Sequence, residues 1–350
     1  MVREKQISQL LGEISLNDSF VLGYYGGGNY GDELLLEVLQ HIFGRQKYDR
    51  ISFLYQKPID VELFHRDFGY EPVDAANKYS VLKAMFKRRN LVIGGGGLWG
   101  LDVNANVVLM SCLLFFARWI LGKRVYLLGV GYYGATSRMG HFAAWLAGKS
   151  ATQILARDQE TYEKFSRINK QTYLSDDIAF MLPHITENVA RDLAIFENNV
   201  GRVSKPTVMI SLRRFKPNQS NPYLDTVKTW LSQHPDVPVI LAIMEPRSVD
   251  PEGFKVLKSL QRTRGNAAVI DFSYNPIVLY QFFMRHKKKL SYIGPQFHVQ
   301  LVAHLAGVKL LPVFYDNKVS QLLQKLEYDR PISISDISPA DIRQFMNATR

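Results

Sequence analysis

The stretch FVLGYYGGGNYGDELLL, residues 20–36, decides the fold of this chain. Its apolar start predicts a strand, its glycines a tight turn, and the run from Leu34 to Phe43 a helix. Such a strand–turn–helix unit aims backbone N–H groups and the positive end of a helix at a ligand. Glycine suits the turn because it lets the backbone approach that ligand closely. The sequence therefore predicts a ligand-binding turn at the start of an α/β domain.

The same stretch argues against a dinucleotide site. Gly26, Gly28 and Gly31 match the spacing of the dinucleotide fingerprint. That fingerprint also needs an acidic residue at the end of the second strand. Here the second predicted strand, Arg50–Tyr55, runs into Gln56-Lys57-Pro58. Asp32 would in addition repel a pyrophosphate at the helix start, so the dinucleotide interpretation is disfavoured.

Composition indicates a globular protein with room for two domains. The chain has 350 residues, of which 47% are hydrophobic and 21% charged. Its single cysteine, Cys112, excludes an internal disulfide and fits a reducing compartment. Cys112 lies in an apolar run, which predicts a buried position. Residues 1–17 show no secretory signal, so we expect a cytoplasmic protein.

The net charge of +11 restricts the partners. Basic clusters at Lys87–Arg89, Arg213–Arg214 and Arg285–Lys289 suit acidic small molecules, anionic lipid or nucleic acid. No nucleic-acid-binding motif is present, so no nucleic-acid partner is expected. The apolar segment Ala105–Leu121 is marginal in length for a membrane span and predicts a buried or membrane-touching helix. Beside the basic clusters, it permits peripheral contact with the inner face of a membrane.

Short apolar runs alternate with helical patterns along the chain, which predicts parallel βαβ units. The fold class is α/β, with two doubly wound Rossmann-like domains that face a cleft. We expect an N-terminal domain over 1–185 with acceptor-side glycine turns, a linker over 186–206, a donor-binding domain over 207–330 and a helical tail over 331–350. One predicted helix of the first domain is Val61–Phe68.

Two further motifs follow predicted strands of the first domain. Gly94–Gly97 ends a strand, and glycines in succession favour close backbone approach to a ligand, notably at Gly95, Gly96 and Gly97. A tight strand crossing is the alternative. Arg157 follows another strand and could grip a carboxylate or phosphate, with Asp158 as the helix cap. Alternatively, Arg157 is a salt-bridged residue that orders a loop.

The second domain offers a cation and a histidine. Arg213 and Arg214 follow the predicted strand Thr207–Leu212, at the end where ligands bind in α/β sheets. His298 falls in the first turn of a helix that follows a strand, where it can act as a general acid or base near neutral pH. No cluster with metal-ligand spacing is present, so no metal is expected.

Taken in order, these motifs resemble those of the polysaccharide pyruvyl transferase family. The resemblance runs from Gly23 to Lys318. Its matching segments are Gly26–Glu33, Gly94–Leu98, Arg157-Asp158, Asp177–Phe180, Gln296–His298 and Tyr315–Lys318. Three departures occur: Gln296 stands where the family has arginine, Asn317 where it has proline, and Gly129–Tyr133 lacks a glutamine and a proline.

The resemblance implies a GT-B-like enzyme that transfers a pyruvyl group from phosphoenolpyruvate to two hydroxyls of a glycan or lipid-linked sugar. The product would be a cyclic ketal in exopolysaccharide synthesis, with phosphoenolpyruvate as co-substrate and no other cofactor. His298 would transfer a proton, and Asp32 would orient or deprotonate an acceptor hydroxyl. The remaining expected site residues bind the donor (Arg157, Arg213, Gln296, Phe297, Lys318) or form substrate-binding turns (Gly28, Asn29, Gly31, Gly95, Gly96, Gly97).

Gln296 keeps two alternatives open, because it removes an anion contact of the family pattern. The first is a nucleotide-sugar glycosyltransferase with the same two-domain architecture. The second is a non-catalytic protein of glycan assembly that has lost the donor site.

Overall fold

Two units make up the chain in a computed structural model. The structure describes residues 16, 18–43, 51–55, 71–99, 105–134, 137–185, 189–200, 203, 205–212 and 221–348. The N-terminal unit comprises Met1–Gly27 and Leu35–Met181, and the C-terminal unit comprises Gly28–Leu34 and Leu182–Arg350. The predicted helix Val61–Phe68 and the predicted site residue Arg213 lie outside the described residues.

The N-terminal unit is built on a seven-stranded parallel sheet of order β3-β2-β1-β4-β5-β6-β7. The strands are β1 (Ser19–Tyr25), β2 (Ile51–Tyr55), β3 (Glu71–Asp74), β4 (Asn90–Gly94), β5 (Arg124–Val130), β6 (Gln153–Ala156) and β7 (Thr172–Leu174). In the centre of the sheet, Phe20 of β1 pairs with Ser52 on one side and Leu91 on the other. The central strands, such as β1, β4 and β5, are largely apolar and buried because both faces of a parallel sheet are covered.

Among the described residues, five α-helices connect these strands. They are α1 (Tyr30–Phe43), α2 (Lys78–Lys87), α3 (Ala105–Trp119), α4 (Arg138–Ser150) and α5 (Gln159–Ser166). The strand order from β3 to β7 places α2 through α5 on one face of the sheet if every crossover is right-handed. The buried core agrees, since Met85, Leu114, Ala143 and Phe165 from these four helices share one cluster.

The C-terminal unit contains a five-stranded parallel sheet of order β10-β9-β8-β11-β12 and a short pair, β13-β14. The strands are β8 (Thr207–Ser211), β9 (Val239–Ile243), β10 (Ala267–Asp271), β11 (Leu290–Ile293), β12 (Lys309–Leu311), β13 (Val313–Phe314) and β14 (Ile332–Ser333). The helices are α6 (Ala190–Val200), α7 (Pro222–Gln233), α8 (Pro251–Arg262), α9 (Pro276–His286), α10 (Phe297–Leu305), α11 (Asn317–Lys325) and α12 (Pro339–Asn347). A 3-10 helix, Ile178–His184, precedes α6.

The prediction of an α/β protein with two Rossmann-like parallel sheets is confirmed. The sequence patterns missed β3, β13, β14 and α11, which are short or weakly apolar. The predicted burial of Cys112 is wrong, because the residue is exposed on α3. That helix is apolar on all sides, so the pattern could not distinguish its outer face. In the part of the chain that the structure describes, no helix has both the length and the apolar character needed to cross a bilayer.

Candidate functional site

The first turn of α1 is held by its own polar side chains. Asn29 Oδ1 accepts hydrogen bonds from the N–H groups of Gly31 at 3.0 Å and Asp32 at 3.3 Å, which makes Asn29 the helix cap. Glu33 is fully buried, and its Oε1 accepts from Gly28 N–H at 2.8 Å. The helix starts at Tyr30, four residues before Leu34, its predicted start. Asp32 is left half-buried at the positive end of the helix.

This turn belongs to the C-terminal unit, although the sequence predicted it as part of the first domain. Tyr30 N–H donates to the carbonyl of Met244 at 3.0 Å, directly after β9. Asn29 Nδ2 donates to Glu245 Oε1 at 3.3 Å. The Tyr30 hydroxyl reaches the carbonyl of Pro276, the first residue of α9, at 3.4 Å. The turn is thus fixed at the ends of strands of the second sheet.

The structure brings Gly31 and His298 together. His298 is the second residue of α10, which follows β11. A Cβ built on Gly31 would lie 2.2 Å from Nδ1 of His298, far inside van der Waals contact. Only the absence of a side chain at position 31 lets the imidazole lie against the first turn of α1. Two of the predicted site motifs therefore meet within one unit.

Gln296 precedes that helix and is bound on both ends of its amide. Its Oε1 accepts from Ser211 Oγ and, at 3.3 Å, from the Tyr292 hydroxyl, while Nε2 donates to the carbonyl of Leu212. Burial raises the pKa of Tyr292, so the phenol stays protonated. The side chain of Gln296 does not cap α10. It ties the end of β8 to the start of α10, and its predicted part in donor binding stays a prediction.

Tyr274 is a residue of this region that sequence reasoning missed. A Cβ on Gly28 would lie 2.4 Å from the Tyr274 hydroxyl, and Gly28 has a φ of +77°, which favours glycine. Burial raises the pKa of Tyr274, and the carboxylates of Glu33 and Asp271 raise it further. Tyr274 is therefore a protonated phenol beside the glycine turn. Its place after β10, just before the Asn-Pro start of α9, is the sequence signal that could have indicated it.

Arg157 of the N-terminal unit has its charge balanced inside that unit. Its Nη1 lies 2.7 Å from Asp177 Oδ2, and the two side chains are only 6% and 2% exposed. The guanidinium also lies 5.4 Å from the centre of the Tyr133 ring. Asp158 caps α5 as predicted, with its Oδ1 2.8 Å from Thr161 N. The contacts match the salt-bridged alternative for Arg157, and its donor role stays a prediction.

The glycines that follow β4 differ in what they contact. A Cβ on Gly94 would meet Leu39 at 2.1 Å, and one on Gly97 would meet the Tyr133 ring at 2.0 Å. Packing therefore explains both. Gly95 has a φ of +79°, and a Cβ there would press on Leu35. Gly96, with a φ of +85°, has no atom within 4 Å of a built Cβ, so its backbone conformation alone requires glycine.

The remaining predicted donor residues lie at two helix starts of the C-terminal unit. Lys318 is in the first turn of α11, with Nζ 3.6 Å from the carboxylate of Asp316, which caps that helix. The ring of Phe297 stands edge-on to His298, with 4.9 Å between centroids. Within the described ranges, no group of three or more His, Cys, Asp or Glu side chains is placed to hold a metal ion.

Comparison with known families decides the identity of the chain. The family model for polysaccharide pyruvyl transferase matches residues 29–317. The chain belongs to this family. The match begins at the cap of α1 and contains Arg157 and His298, so it covers most of the motifs described above, with Gly28 and Lys318 just outside it. No curated protein matches the sequence.

Solved structures show that the family fold here is GT-B-like. Anabaena Alr3699/HepE in complex with UDP and glucose is 12% identical, with a TM-score of 0.59 over 95% of this chain and 89% of that one. The UDP-GlcNAc 2-epimerase of Methanocaldococcus jannaschii is also 12% identical, with a TM-score of 0.59 over 95% of this chain and 93% of that one. The UDP-GlcNAc 2-epimerase of Neisseria meningitidis, bound to UDP-GlcNAc, is 10% identical, with a TM-score of 0.58 over 93% of this chain and 88% of that one. At such identities the likeness concerns the fold alone.

Proposed function

We propose that this transferase moves the pyruvyl group of phosphoenolpyruvate onto two hydroxyls of a glycan or lipid-linked sugar in exopolysaccharide synthesis. The observation that carries the proposal is the contact between the His298 imidazole and the Asn29-capped first turn of α1. That contact puts the His298 imidazole next to Gly31, the residue directly before Asp32. Membership of the family supports the transferase activity in general.

The chemistry needs one acid and one base. Protonation of the methylene carbon of phosphoenolpyruvate makes it a methyl group and leaves positive charge at C2. One acceptor hydroxyl forms a C–O bond to C2, phosphate leaves with its C–O bond electrons, and the second hydroxyl closes the ketal. Of the two hydroxyl protons released, one balances the proton placed on the methyl group and the other goes to solvent or phosphate. Groups that transfer protons in this way contribute about 10²- to 10⁴-fold in rate.

Residues of the C-terminal unit can take these roles. In the proposal His298 gives the proton to the methylene carbon, and Asp32 accepts the proton of the attacking hydroxyl. The protonated Tyr274 donates a hydrogen bond to an anion of the donor. We assign the phosphate and carboxylate charges to Lys318 and, from the sequence, to Arg213. Arg157 enters only as a residue that shapes the N-terminal unit, because Asp177 balances its charge.

The test measures donor binding and turnover with a matched histidine control. Phosphoenolpyruvate should raise the melting temperature, by an amount equivalent to about 2.7 kcal/mol at a hundredfold excess over Kd. In D₂O, with a lipid-linked saccharide extract as acceptor, the ketal methyl group should gain one deuterium as phosphate is released. His298→Asn should lower this turnover at least about 10²-fold. His304→Asn, in the last turn of the same helix, should leave it unchanged.

Nucleotides run in parallel test the alternatives, since the solved structures of similar fold include complexes with UDP. Stabilisation by UDP or UDP-glucose without any response to phosphoenolpyruvate would favour a glycosyltransferase. Binding of saccharide with no response to either donor would favour a non-catalytic assembly protein. Full turnover in His298→Asn would remove the assigned acid.

A further inference from the structure

The exposed large apolar side chains of this protein gather on three helices of the N-terminal unit. Among the described residues, 13 large apolar side chains are exposed, and ten of them lie on α2, α3, α4 or directly after α3. We call these ten the apolar face: Tyr79, Leu82, Phe86, Leu109, Phe116, Trp119, Ile120, Met139, Phe142 and Trp145. So strong a concentration marks an interaction site, because scattered exposed residues need no explanation but contiguous ones do.

The helical period shows that each helix presents one continuous apolar stripe. In α3, Leu109, Cys112, Phe116 and Trp119 are spaced by three, four and three residues and are all exposed. The opposite side of α3 is buried in the core. In α4, Met139, Phe142 and Trp145 are exposed and spaced three residues apart. The rings of Phe142 and Trp145 stack with 6.2 Å between centroids. A helix that is apolar on both sides fits a second apolar environment outside the core.

The three stripes belong to one surface. Helices α3 and α4 pack against each other. Lys123, after α3, donates through Nζ to the carbonyl of Phe86 at the end of α2, at 3.0 Å, and to that of Arg88. All three helices cover the same core cluster on one face of the sheet.

This surface is basic, and the described residues of its three helices include no carboxylate. The described residues 78–99, 105–130 and 137–150 contain no Asp or Glu. Their Lys and Arg side chains that are not buried are Lys78, Lys83, Lys87, Arg89, Arg118, Lys123, Arg124, Arg138 and Lys149. Two of these cations meet carboxylates of flanking segments: Lys87 lies 2.8 Å from Glu71, and Arg89 lies 3.6 Å from Asp18. The face combines aromatic side chains with a surplus of positive charge.

We propose that the apolar face docks on an anionic lipid bilayer. Trp, Tyr and Phe side chains favour the headgroup level of a membrane, and Lys and Arg around them attract anionic lipids. The apolar face would enter the interface while the basic side chains contact phosphates. Two copies of this face would instead bring a surplus of like charges together, since the described residues of α2, α3 and α4 include no carboxylate, and this opposes self-association. This proposal does not depend on pyruvyl transfer. The apolar face lies on helices of the N-terminal unit, whereas the assigned acid and base, His298 and Asp32, belong to the C-terminal unit.

The only cysteine of the chain supplies the probe. Cys112 is exposed in the middle of the α3 stripe, so an environment-sensitive fluorophore can be attached there without other changes. Its emission should rise and shift to the blue with phosphatidylcholine vesicles that contain phosphatidylglycerol, and added salt should reverse the change. The control carries Cys112→Ser and Ile195→Cys, which moves the label to an exposed position on α6. That label should not respond.

Paired variants separate the two contributions. Trp119→Ser with Trp145→Ser should abolish co-sedimentation with anionic vesicles, whereas Ile195→Ser with Met284→Ser, two exposed apolar residues of the C-terminal unit, should not. All four side chains are exposed, so the fold should survive. Lys83→Gln should lower vesicle partitioning about fivefold, the equivalent of about 1 kcal/mol for one cation near a membrane. The exposed Lys228→Gln on α7 should have no such effect.

Three results would overturn the proposal. The first is no vesicle binding, and the second is equal binding to neutral and anionic vesicles. The third is a dimer that shields Cys112 from labelling and dissociates in Trp119→Ser, which would assign the face to a second copy of the chain.

Discussion

The two units treat the polar residues at the ends of their strands differently. In the N-terminal unit Arg157, after β6, is neutralised by Asp177 and covered by Tyr133. In the C-terminal unit the polar groups near the strand ends are positioned by a helix cap at Asn29 and by the space that Gly31 leaves for His298. An ion pair between two buried side chains, such as Arg157 and Asp177, stabilises the fold. Steric fit and hydrogen bonds between neutral groups instead orient a side chain without fixing its charge. The difference supports our proposal that the proton-transferring residues belong to the C-terminal unit.

The largest expected effect comes from breaking the Arg157 ion pair. Arg157→Met leaves the Asp177 carboxylate buried without its cation and should cost about 3–5 kcal/mol of unfolding free energy. Urea denaturation measures this cost. Arg167→Met, at an exposed arginine of the same unit, should change stability by less than about 0.5 kcal/mol. A stable Arg157→Met protein that no longer binds phosphoenolpyruvate would reverse the assignment and make Arg157 a donor residue.

Gly31→Ala tests the steric fit of the other unit. The new Cβ would need the space of His298 Nδ1 and must displace the ring. Displacement of a reacting group by about 1 Å can cost about 10²-fold in rate, so kcat/KM should fall by that order. Gly265→Ala is the matched control, since a Cβ there meets nothing within 4 Å.

A double variant shows whether the clash is with the histidine. With His298 in place, the clash at Gly31→Ala should also lower the unfolding free energy. In the His298→Ala background that cost should disappear, because the ring is gone. An unchanged stability cost in that background would place the clash elsewhere and break the proposed link between α1 and α10.

The neighbouring carboxylates of α1 allow a finer test. Glu33→Ala leaves the buried N–H of Gly28 without its acceptor and should cost about 1–3 kcal/mol of stability. Asp32→Ala removes a half-buried charge at the helix start and should cost only about 0.3–1 kcal/mol. Turnover should show the opposite order, with the larger loss in Asp32→Ala. If both variants lose stability and turnover in parallel, Asp32 has no role separate from the fold.

Much of the fold was predictable because parallel strands are continuous apolar runs with helix starts between them. The sequence singled out Asn29, Asp32 and His298 as candidate site residues for a related reason: polar residues that follow strands occupy the ligand-binding edge of an α/β sheet. Asp177, Glu245 and Tyr274 were missed as partners, since their pairing depends on how distant segments pack. Cys112 was misjudged because an apolar helix with two environments has the same composition as a buried one.

The smallest expected effect extends the comparison to a second ion pair of the N-terminal unit. Glu71 accepts from Lys87, Ser52 and the buried Arg88. Partial burial raises the pKa of Glu71, but these hydrogen bonds outweigh it and lower the pKa from 4.5 to about 2. The unfolded chain therefore binds a proton at higher pH than the folded one. The stabilisation is present above about pH 4.5 and is lost as the pH falls towards 2.

Glu71→Gln should flatten the dependence of unfolding free energy on pH in this window. The effect should be small, because the carboxylate is 41% exposed and solvent screens it. Urea titrations at several pH values measure the slope, and Ser52→Ala should give an intermediate slope because one donor to Glu71 is lost. Added salt should flatten the wild-type slope further if the interaction is electrostatic. If Glu71→Gln leaves the slope unchanged, the interactions of Glu71 contribute nothing measurable to the unfolding free energy. An ion pair of this protein would then stabilise the fold only where both partners are buried, as in Arg157 and Asp177.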